Sequence, residues 1–276
     1  MVSSPDRAGP ATVPAVFQPS ELSPRVRNLA AGLIQRVWGW VSAVGAVSPD
    51  DERGRRFGAM GPRSMIAFPP GSVFGERWIH IGADTLIGPE VSLSAGMAPG
   101  QPMAGAVVRI GDRCSIGRGS HVVGHRRIVI GDDVTFGPYV YVTDQNHVYA
   151  DPDVPIGRQW PAEDPVVIGA GCWLGANVIV LPGARIGRHV VVAAGSVVRG
   201  ELPDHCVAAG APARVVRRYV DGEWHPPLRE LSIDPPPGWP PRSGSPASAA
   251  PVAPASPPSA ASASTSPVPS ASSSGS

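Results

Sequence analysis

A repeat of six residues is the feature that most constrains how this chain can fold. From residue 168 to residue 199 an aliphatic side chain recurs at every sixth position, and a glycine directly follows three of these side chains. The aliphatic positions are Ile168, Leu174, Val180, Ile186, Val192 and Val198. An α-helix repeats its apolar face about every 3.6 residues and a half-buried strand every second residue. A period of six therefore predicts an all-β chain that turns a corner every six residues and coils into a three-sided parallel β-helix.

A second set of side chains shares this period and lies four residues after each aliphatic position. Its members are small or of moderate size: Cys172, Val178, Ala184, Val190 and Ser196. We expect both sets to point inward and to stack on the coil above and below, at a strand spacing of about 4.8 Å. Cys114 occupies the same position upstream. Cys114 and Cys172 are therefore predicted to fill the core rather than to bind a metal or form a disulfide.

The period continues upstream with three interruptions. It passes through Ile81, Ile87, Leu93, Ile110, Ile116, Val122, Ile130, Phe136 and Val142, which makes five sets of three sides in all. The register breaks between Leu93 and Ile110, at residues 124–127, and at residues 144–165. Insertions in a solenoid form loops at its corners, where functional residues are often found. The longest break, 144–165, is therefore the first place to look for a site.

Composition and charge narrow the class of protein. The net charge of +1 argues against a dedicated nucleic-acid-binding protein. Residues 1–10 contain no basic region followed by an apolar run, so a cytoplasmic location is expected. Segments 1–19 and 219–276 are rich in Pro and Ala, with Ser added in the second, and such segments bury too little apolar surface to offset chain entropy. We predict disordered termini, a helical segment at 20–63 and the β-helix at 64–218.

One amphipathic helix is predicted before the β-helix. Ser23 and Pro24 resemble an N-cap followed by proline in the first turn. Apolar residues then follow at helical spacing: Val26, Leu29, Leu33, Val37, Trp40 and Val44. We expect this helix to pack against the β-helix or a neighbouring subunit. Insertion into a membrane, or association with its surface, is the less favoured alternative, suggested by the apolar stretch 29–47.

The third register break carries the candidate chemistry. The side that begins at Val142 continues as Thr-Asp-Gln-Asn-His and then enters a long loop. His147, at the mouth of that loop, would be held by the rigid coil and still be open to solvent. Histidine is the side chain that most often serves as a general base. The position therefore predicts a base that removes a proton from a substrate.

The chain resembles the hexapeptide-repeat acyltransferases over residues 66–218. The resemblance is carried by the segment TDQNHVY, the WLG of the repeat and the closing AAGAPARVVR. It is greatest for the branch that includes galactoside, maltose and Nod-factor O-acetyltransferases. It implies a left-handed β-helix, a homotrimer with active sites between subunits, and acetyl-CoA as co-substrate. The left hand comes from the resemblance, because crossovers between parallel strands are usually right-handed.

The same resemblance implies roles for particular residues. His147 matches the catalytic histidine, which would take the proton of an acceptor hydroxyl as that oxygen attacks the thioester of acetyl-CoA. Asp144 and Asn146 would orient His147 or contact the acceptor, although either could instead close an Asx turn. His121, at the second break, and Trp173 are further candidates for contact with the acceptor.

The cofactor contacts of the family fall on the last coils of this chain. They correspond to Ala176, Ala194, Arg199, Arg214 and Arg217. The alanines would line the pantetheine arm, and the arginines would meet the nucleotide phosphates through charge-assisted contacts. One departure concerns Arg199-Gly200, where relatives often carry Lys or a Thr-Lys pair.

The predicted function is the transfer of an acetyl group to a hydroxyl of a sugar or glycan, and three alternatives stay open. The first is N-acetylation of an amino sugar. The second is a metalloenzyme like the γ-class carbonic anhydrases, which share this coil. They space two histidine ligands with four residues between them, whereas His121 and His125 have three, and we expect no metal. The third is a trimeric scaffold with an inert loop.

Overall fold

The computed structural model describes residues 23–227. The predicted disordered segment 1–19 lies outside the described residues, as does the predicted tail from residue 228 onward. Within the described range, a single α-helix, α1 (Pro24–Gly45), precedes a coil of short strands. Three short 3-10 helices, Gly54–Arg56, Glu76–Trp78 and Ile156–Arg158, lie in the connections.

The strands form three sheets, which we call faces 1, 2 and 3 in the order in which the chain visits them. Face 1 contains β1 (Ala59–Met60), β4 (Ile79–Ile81), β7 (Val108–Ile110), β10 (Ile128–Ile130), β15 (Val166–Ile168), β18 (Arg185–Ile186) and β21 (Glu201–Leu202). Face 2 contains β2 (Met65–Ile66), β5 (Leu86–Ile87), β8 (Ser115–Ile116), β11 (Thr135–Phe136), β16 (Trp173–Leu174), β19 (Val191–Val192), β22 (Cys206–Ala209), β23 (Arg214–Val220) and β24 (Glu223–His225). Face 3 contains β3 (Val73–Phe74), β6 (Ser92–Ala95), β9 (His121–Gly124), β12 (Tyr141–Thr143), β17 (Ile179–Val180) and β20 (Val197–Val198).

Pairing is parallel throughout the three faces except at the end of face 2. There β22, β23 and β24 pair antiparallel. A separate two-stranded antiparallel sheet joins β13 (Gln145–Asn146) to β14 (Ala162–Glu163). The three edges of the prism are named after the faces that they join: the 1–2, 2–3 and 3–1 edges.

The predicted inward stacks are present. On face 1 the residues in register are Ile81, Ile110, Ile130, Ile168, Ile186 and Leu202. All of them are buried in one continuous core. The smaller inward positions, including Cys172, Ala184 and Ser196, are buried as well. Aliphatic side chains thus repeat on successive coils, and each layer packs against the next.

The three cysteines are free and buried. Burial raises the pKa of the Cys172 thiol to about 11, so this thiol stays protonated at neutral pH. Burial also raises the pKa of Cys114 and of Cys206. The prediction that Cys114 and Cys172 fill the core is confirmed.

The coil begins earlier than predicted. Strands β1 to β3 form a further coil in front of the five predicted sets, and β1 lies inside the segment 20–63 that the sequence predicted to be helical. Two interruptions break the six-residue period in this coil. Pro69 and Pro70 lie between Ile66 and Val73, and the 3-10 helix Glu76–Trp78 lies before β4.

The β structure also ends later than predicted, because an antiparallel hairpin continues into the segment 219–276 that we expected to be disordered. Tyr219 and Val220 belong to β23, and β24 returns antiparallel to it. Asp221 and Gly222 connect the two strands with φ values of 51° and 88°. Positive φ at both positions matches the two-residue hairpin turn that Asp-Gly favours. The ring of Trp224 packs on Tyr219 at a centroid distance of 5.4 Å, which helps to hold the hairpin.

Helix α1 contacts the β-helix only near its own C-terminal end. The ring of Trp38 lies 6.4 Å from that of Phe68, centroid to centroid. Gly45 is so close to Phe68 that a Cβ atom there would collide with the ring. No residue of the helix is buried. The packing against the β-helix that we expected is thus limited to one end.

None of the helices between residues 23 and 227 has the length and apolar character needed to cross a bilayer.

Candidate functional site

The three register breaks all lie on the 3–1 edge. They join β6 to β7, β9 to β10 and β12 to β15, and each follows a strand of face 3. The longest connection contains β13, β14 and the loop between them, residues 147–161, which we call the arm. The insertions of three successive coils therefore meet along one side of the prism, and the candidate base lies among them.

His147 follows β13 at the start of the arm and is exposed. Its backbone N–H donates to Oδ1 of Asn146 at 3.1 Å. The strand pair beneath it is short, with Gln145 opposite Glu163 and Asn146 opposite Ala162. The imidazole is thus carried on a hairpin base and is open to solvent, as the sequence predicted.

Asp144 fastens this hairpin to the preceding coil. Its carboxylate is completely buried and accepts hydrogen bonds from the backbone N–H groups of residues 125, 126 and 127, at 2.7 Å for the first two. Its own carbonyl oxygen accepts from the N–H of Asp164 at 2.8 Å. Because the carboxylate is completely buried and both of its oxygens accept from backbone groups, it is not open to a substrate. This position argues against the predicted contact with the acceptor and favours a structural role.

A second contact crosses the same edge and was not foreseen from the sequence. Nδ1 of His125 lies 3.2 Å from Oε1 of Glu163 on β14, with 6% and 28% of the two side chains exposed. Glu163 lies inside the longest break, where no periodicity assigns it a direction. The pair joins the far end of the arm to the corner that Asp144 also holds, so both ends of the arm are tied to one point of the prism.

The arm itself is internally bonded and displays apolar side chains. The amide of Gln159 donates to the carbonyl oxygens of Asp151 and Val154 at 2.9 and 2.8 Å. The large apolar side chains that it leaves exposed are those of Tyr149, Val154, Ile156 and Trp160. An ordered loop with exposed aromatic rings is typical of a surface that contacts another molecule.

The predicted acceptor residues do not all share one face. His121 lies on face 3 opposite Tyr141, with ring centroids 6.1 Å apart. It therefore projects from the sheet whose strand β12 leads to His147. Trp173 projects from face 2 and is 55% exposed. Side chains on two faces of a prism point in diverging directions, so Trp173 and His147 do not line one pocket within a single chain.

Two of the predicted cofactor residues are neighbours on the 2–3 edge. The carbonyl oxygen of Ala176 accepts from the N–H of Gly195, next to Ala194, at 2.9 Å. A Cβ atom on Gly175 would lie 2.6 Å from the backbone nitrogen of Ala194, so the two coils are in backbone contact here. Only glycine fits such an approach. The surface of this edge beside face 3 therefore consists of backbone and methyl groups.

The predicted phosphate-binding arginines are spread over two places. Arg199 follows β20 and lies on the 3–1 edge, two coils beyond the arm. Arg214 and Arg217 lie on β23 at the end of face 2. Arg214 is exposed, and Nε of Arg217 is buried without a hydrogen-bond partner in the described part of the chain. Arg214 and Arg217 share β23, and the N–H of Ala213 donates to the carbonyl oxygen of Val197 at 2.8 Å, so Arg214 and Arg199 lie on neighbouring segments of the chain.

The histidines considered as metal ligands point to different surroundings. His121 is exposed on face 3, and His125 is buried against Glu163. Between residues 23 and 227 no group of three or more His, Cys, Asp or Glu side chains is arranged to hold a metal ion.

Part of the chain matches a known protein family. Residues 165–200 match the bacterial transferase hexapeptide family (six repeats). The match covers strands β15 to β20. The resemblance drawn from the sequence is confirmed, and it rests on the coils that directly follow the arm.

Two curated relatives illustrate the likeness. A probable acetyltransferase of Mycobacterium tuberculosis is 37% identical over 142 residues, which are 51% of this chain and 42% of the relative. A galactoside O-acetyltransferase of Lactococcus lactis is 42% identical over 98 residues, which are 35% of this chain and 46% of the relative. The chain spans about half the length of these relatives.

Among solved structures, AntD, an N-acyltransferase from Bacillus cereus in complex with dTDP and 3-hydroxybutyryl-CoA, is similar with a TM-score of 0.52 and 21% identity. The similarity covers 62% of this chain and 87% of AntD. The predicted fold class, a left-handed parallel β-helix of hexapeptide repeats, is confirmed by this likeness together with the register of the strands.

Proposed function

We propose that the protein transfers an acyl group, in the first instance acetyl, from acyl-CoA to a hydroxyl of a sugar or glycan. The observation that carries the proposal is the position of His147. It is exposed at the base of an arm that Asp144 and the His125–Glu163 pair hold to the 3–1 edge. The likeness to proteins named acetyltransferases, and to AntD with a bound acyl-CoA, supports the same reaction.

In the proposed reaction His147 acts as a general base. As the acceptor oxygen attacks the thioester carbonyl carbon, its proton passes to the imidazole. The carbon–sulfur bond then breaks, and the imidazolium returns the proton to the departing thiolate of CoA. Nothing becomes covalently attached to the protein. Acetyl-CoA is a co-substrate, with Ala176 and Ala194 along its pantetheine arm and the arginines near its phosphates.

The proposed assembly is a homotrimer. Trp173 lies on face 2 while His121 and the arm lie on face 3 and its edge, so a cleft between two copies is the arrangement that would bring them together. The exposed Tyr149, Ile156 and Trp160 of the arm support such a contact. Light scattering of the purified chain measures the mass, and a monomer at working concentration would contradict this assembly.

The reaction is tested by screening acceptors. The full chain is incubated with acetyl-CoA and a panel of sugars, and free CoA and acetylated product are measured by thiol titration and mass spectrometry. We expect release of CoA that requires a hydroxyl acceptor. If no acceptor leads to release of CoA, and the chain does not bind acetyl-CoA, a non-catalytic scaffold explains the protein better.

N-acetylation of an amino sugar is the second candidate, and the likeness to an N-acyltransferase favours it. Matched acceptors, such as glucose and glucosamine, distinguish the two because they differ at one position only. Turnover of the amine alone would replace the O-acetyl proposal. Metal analysis of the active enzyme tests the carbonic-anhydrase alternative. The cytoplasmic location stays a prediction that cell fractionation would check.

A further inference from the structure

Helix α1 exposes an apolar arc that the rest of residues 23–227 does not cover. At about 100° per residue, one side of the helix collects six apolar positions within roughly 80°. They are Val26, Leu29, Leu33, Val37, Trp40 and Val44. Leu29 is 76% exposed, Leu33 65% and Trp40 66%. Soluble proteins rarely leave so many large apolar side chains together in water.

The contact with the β-helix does not use this arc. Trp38 and Gly45, the residues that meet Phe68, lie more than about 100° around the helix from the centre of the arc. The β-helix therefore holds one end of α1 from the side and directs the apolar arc outward. The attachment presents the arc instead of burying it.

The helix surface on one flank of this arc is polar and carries positive charge. Arg25, Asn28, Gln35, Arg36 and Ser42 lie there, and Cβ atoms added at the two glycines on this side would meet nothing within 4 Å. Arg25 and Arg36 are at one border of the apolar arc, so their long stems can run along it while the guanidinium groups stay in water.

All the charged side chains between residues 23 and 47 have one sign. The segment contains three arginines, no lysine, no aspartate and no glutamate. Two copies of this helix packed on each other would bring like charges together and offer no carboxylate to pair with them. A surface with an apolar interior and anionic groups at its boundary fits the segment better. Its interior would take up the apolar arc, and its anionic groups would neutralise the arginines.

We propose that α1 is a docking element for an anionic phospholipid bilayer. The helix lies along the surface, with Leu33 and Trp40 among the headgroups and upper acyl chains and with Arg25 and Arg36 near the lipid phosphates. Tryptophan favours this boundary because its ring is apolar and its N–H is polar. The proposal goes beyond the acyl transfer proposed above and does not depend on it.

The test is co-sedimentation of the full chain with vesicles, and it compares two matched variants. Leu33→Ser with Trp40→Ser removes the centre of the apolar arc without changing charge, and Asn28→Ser with Gln35→Ser makes the same change on the polar side. The parent is expected to sediment with phosphatidylcholine vesicles that contain phosphatidylglycerol. The first variant should lose about tenfold or more of this binding, and the second less than about twofold.

A third variant tests the charge. Arg25→Gln with Arg36→Gln should weaken binding to vesicles that contain phosphatidylglycerol, and added salt should weaken binding by the parent, because screening acts on the same attraction. Acyl-CoA turnover without vesicles, where present, should be the same in all three variants, which separates this proposal from the catalytic one.

Three results would overturn the proposal. The first is a parent chain that stays in the supernatant with both kinds of vesicle. The second is equal binding by the Leu33/Trp40 variant and the Asn28/Gln35 variant. The third is a change of mass in the Leu33/Trp40 variant by light scattering, which would identify the arc as a contact between copies of the chain.

Discussion

The 1–2 edge and the 3–1 edge both turn the chain between faces, and they do so in different ways. On the 1–2 edge one position per coil has a positive φ, between 53° and 70°: Arg63, Asp84, Arg113, Asp133, Gly171, His189 and His205. The N–H at this position donates to the coil before it, as from Arg113 to Ala83 and from His189 to Ala170, at 2.8 and 2.9 Å. On the 3–1 edge three successive coils carry insertions of different length.

The difference shows where rigidity and chemistry lie in the molecule. A repeated corner lets each coil copy the one before it, so the 1–2 edge keeps the inward stacks in register. An insertion has no equivalent in the next coil, and its polar groups must find partners of their own, as those of the 124–127 corner do in Asp144. We call the 3–1 edge the irregular edge and the 1–2 edge the regular edge. The irregular edge can hold a histidine in a position that the repeat alone does not provide.

The largest effect on catalysis is expected for a substitution on the irregular edge. His147→Asn should lower kcat by about two to four orders of magnitude, because asparagine cannot take up the proton. The matched control is His189→Asn on the regular edge, where asparagine tolerates the positive φ. Steady-state kinetics with acetyl-CoA and an acceptor measures both. Equal rates in His147→Asn and the parent would remove His147 from the mechanism.

The next effect concerns the stacks behind the regular edge. Leu174→Ala should destabilise the protein by about 2–5 kcal/mol, because the side chain is fully buried and leaves a cavity between layers. Leu86→Ala makes the same change on the outer side of face 2 and should cost less than about 0.5 kcal/mol. Denaturant unfolding compares the two variants. Similar losses would mean that the outward positions of face 2 are buried in the assembled protein.

Asp144→Asn tests the link between the irregular edge and the coil. The amide group replaces one acceptor oxygen with a donor, so at least one buried backbone N–H of residues 125–127 loses its partner, at a cost of about 1–3 kcal/mol. We expect lower stability together with lower kcat, since the arm carries His147. Asp164→Asn, on an exposed side chain of the same connection, is the control. A loss of kcat at unchanged stability would instead point to a direct role in the reaction.

A smaller effect is expected at the predicted cofactor residues. Arg214→Gln and Arg217→Gln should each raise the KM for acetyl-CoA by roughly two- to tenfold and leave kcat nearly constant, because an arginine–phosphate contact assists binding. Arg188→Gln on the regular edge should leave the KM for acetyl-CoA unchanged. Initial rates over a range of acetyl-CoA concentration give both constants. An unchanged KM in both variants would void the assignment.

The smallest effect is expected from a single ion pair on the regular edge. Two hydrogen bonds from Arg113, each 2.7 Å, hold the pKa of the Asp133 carboxyl below its usual range. A depressed folded-state pKa stabilises the protein above the unfolded-state pKa, and this contribution disappears as pH falls through the folded value. Arg113→Gln should therefore lower the Tm slightly at neutral pH, with a difference that shrinks in acid. A change of kcat would contradict the separation of the two edges.

Much of the coil could be predicted from the sequence because its signal is local. A residue such as Ile168 or Cys172 points inward whatever the neighbouring coils contain, so the period of six identifies it directly. The common edge of the three breaks was also readable, because each break follows the third member of a set. The Pro- and Ser-rich composition of the tail predicts disorder after Val220, whereas the Asp-Gly pair there forms a hairpin turn.

The sequence by itself determined the three-sided cross-section, the inward residues and the exposed position of His147 at the mouth of the longest break. Only the tertiary structure decided that Asp144 binds the backbone of the preceding coil, that Glu163 meets His125, and that α1 turns its apolar arc to solvent. The reason is physical. Which residues of the repeat are buried depends on their spacing along the chain. The partners of an insertion lie on another coil, and the number of residues between the insertion and its partners depends on the lengths of the insertions themselves.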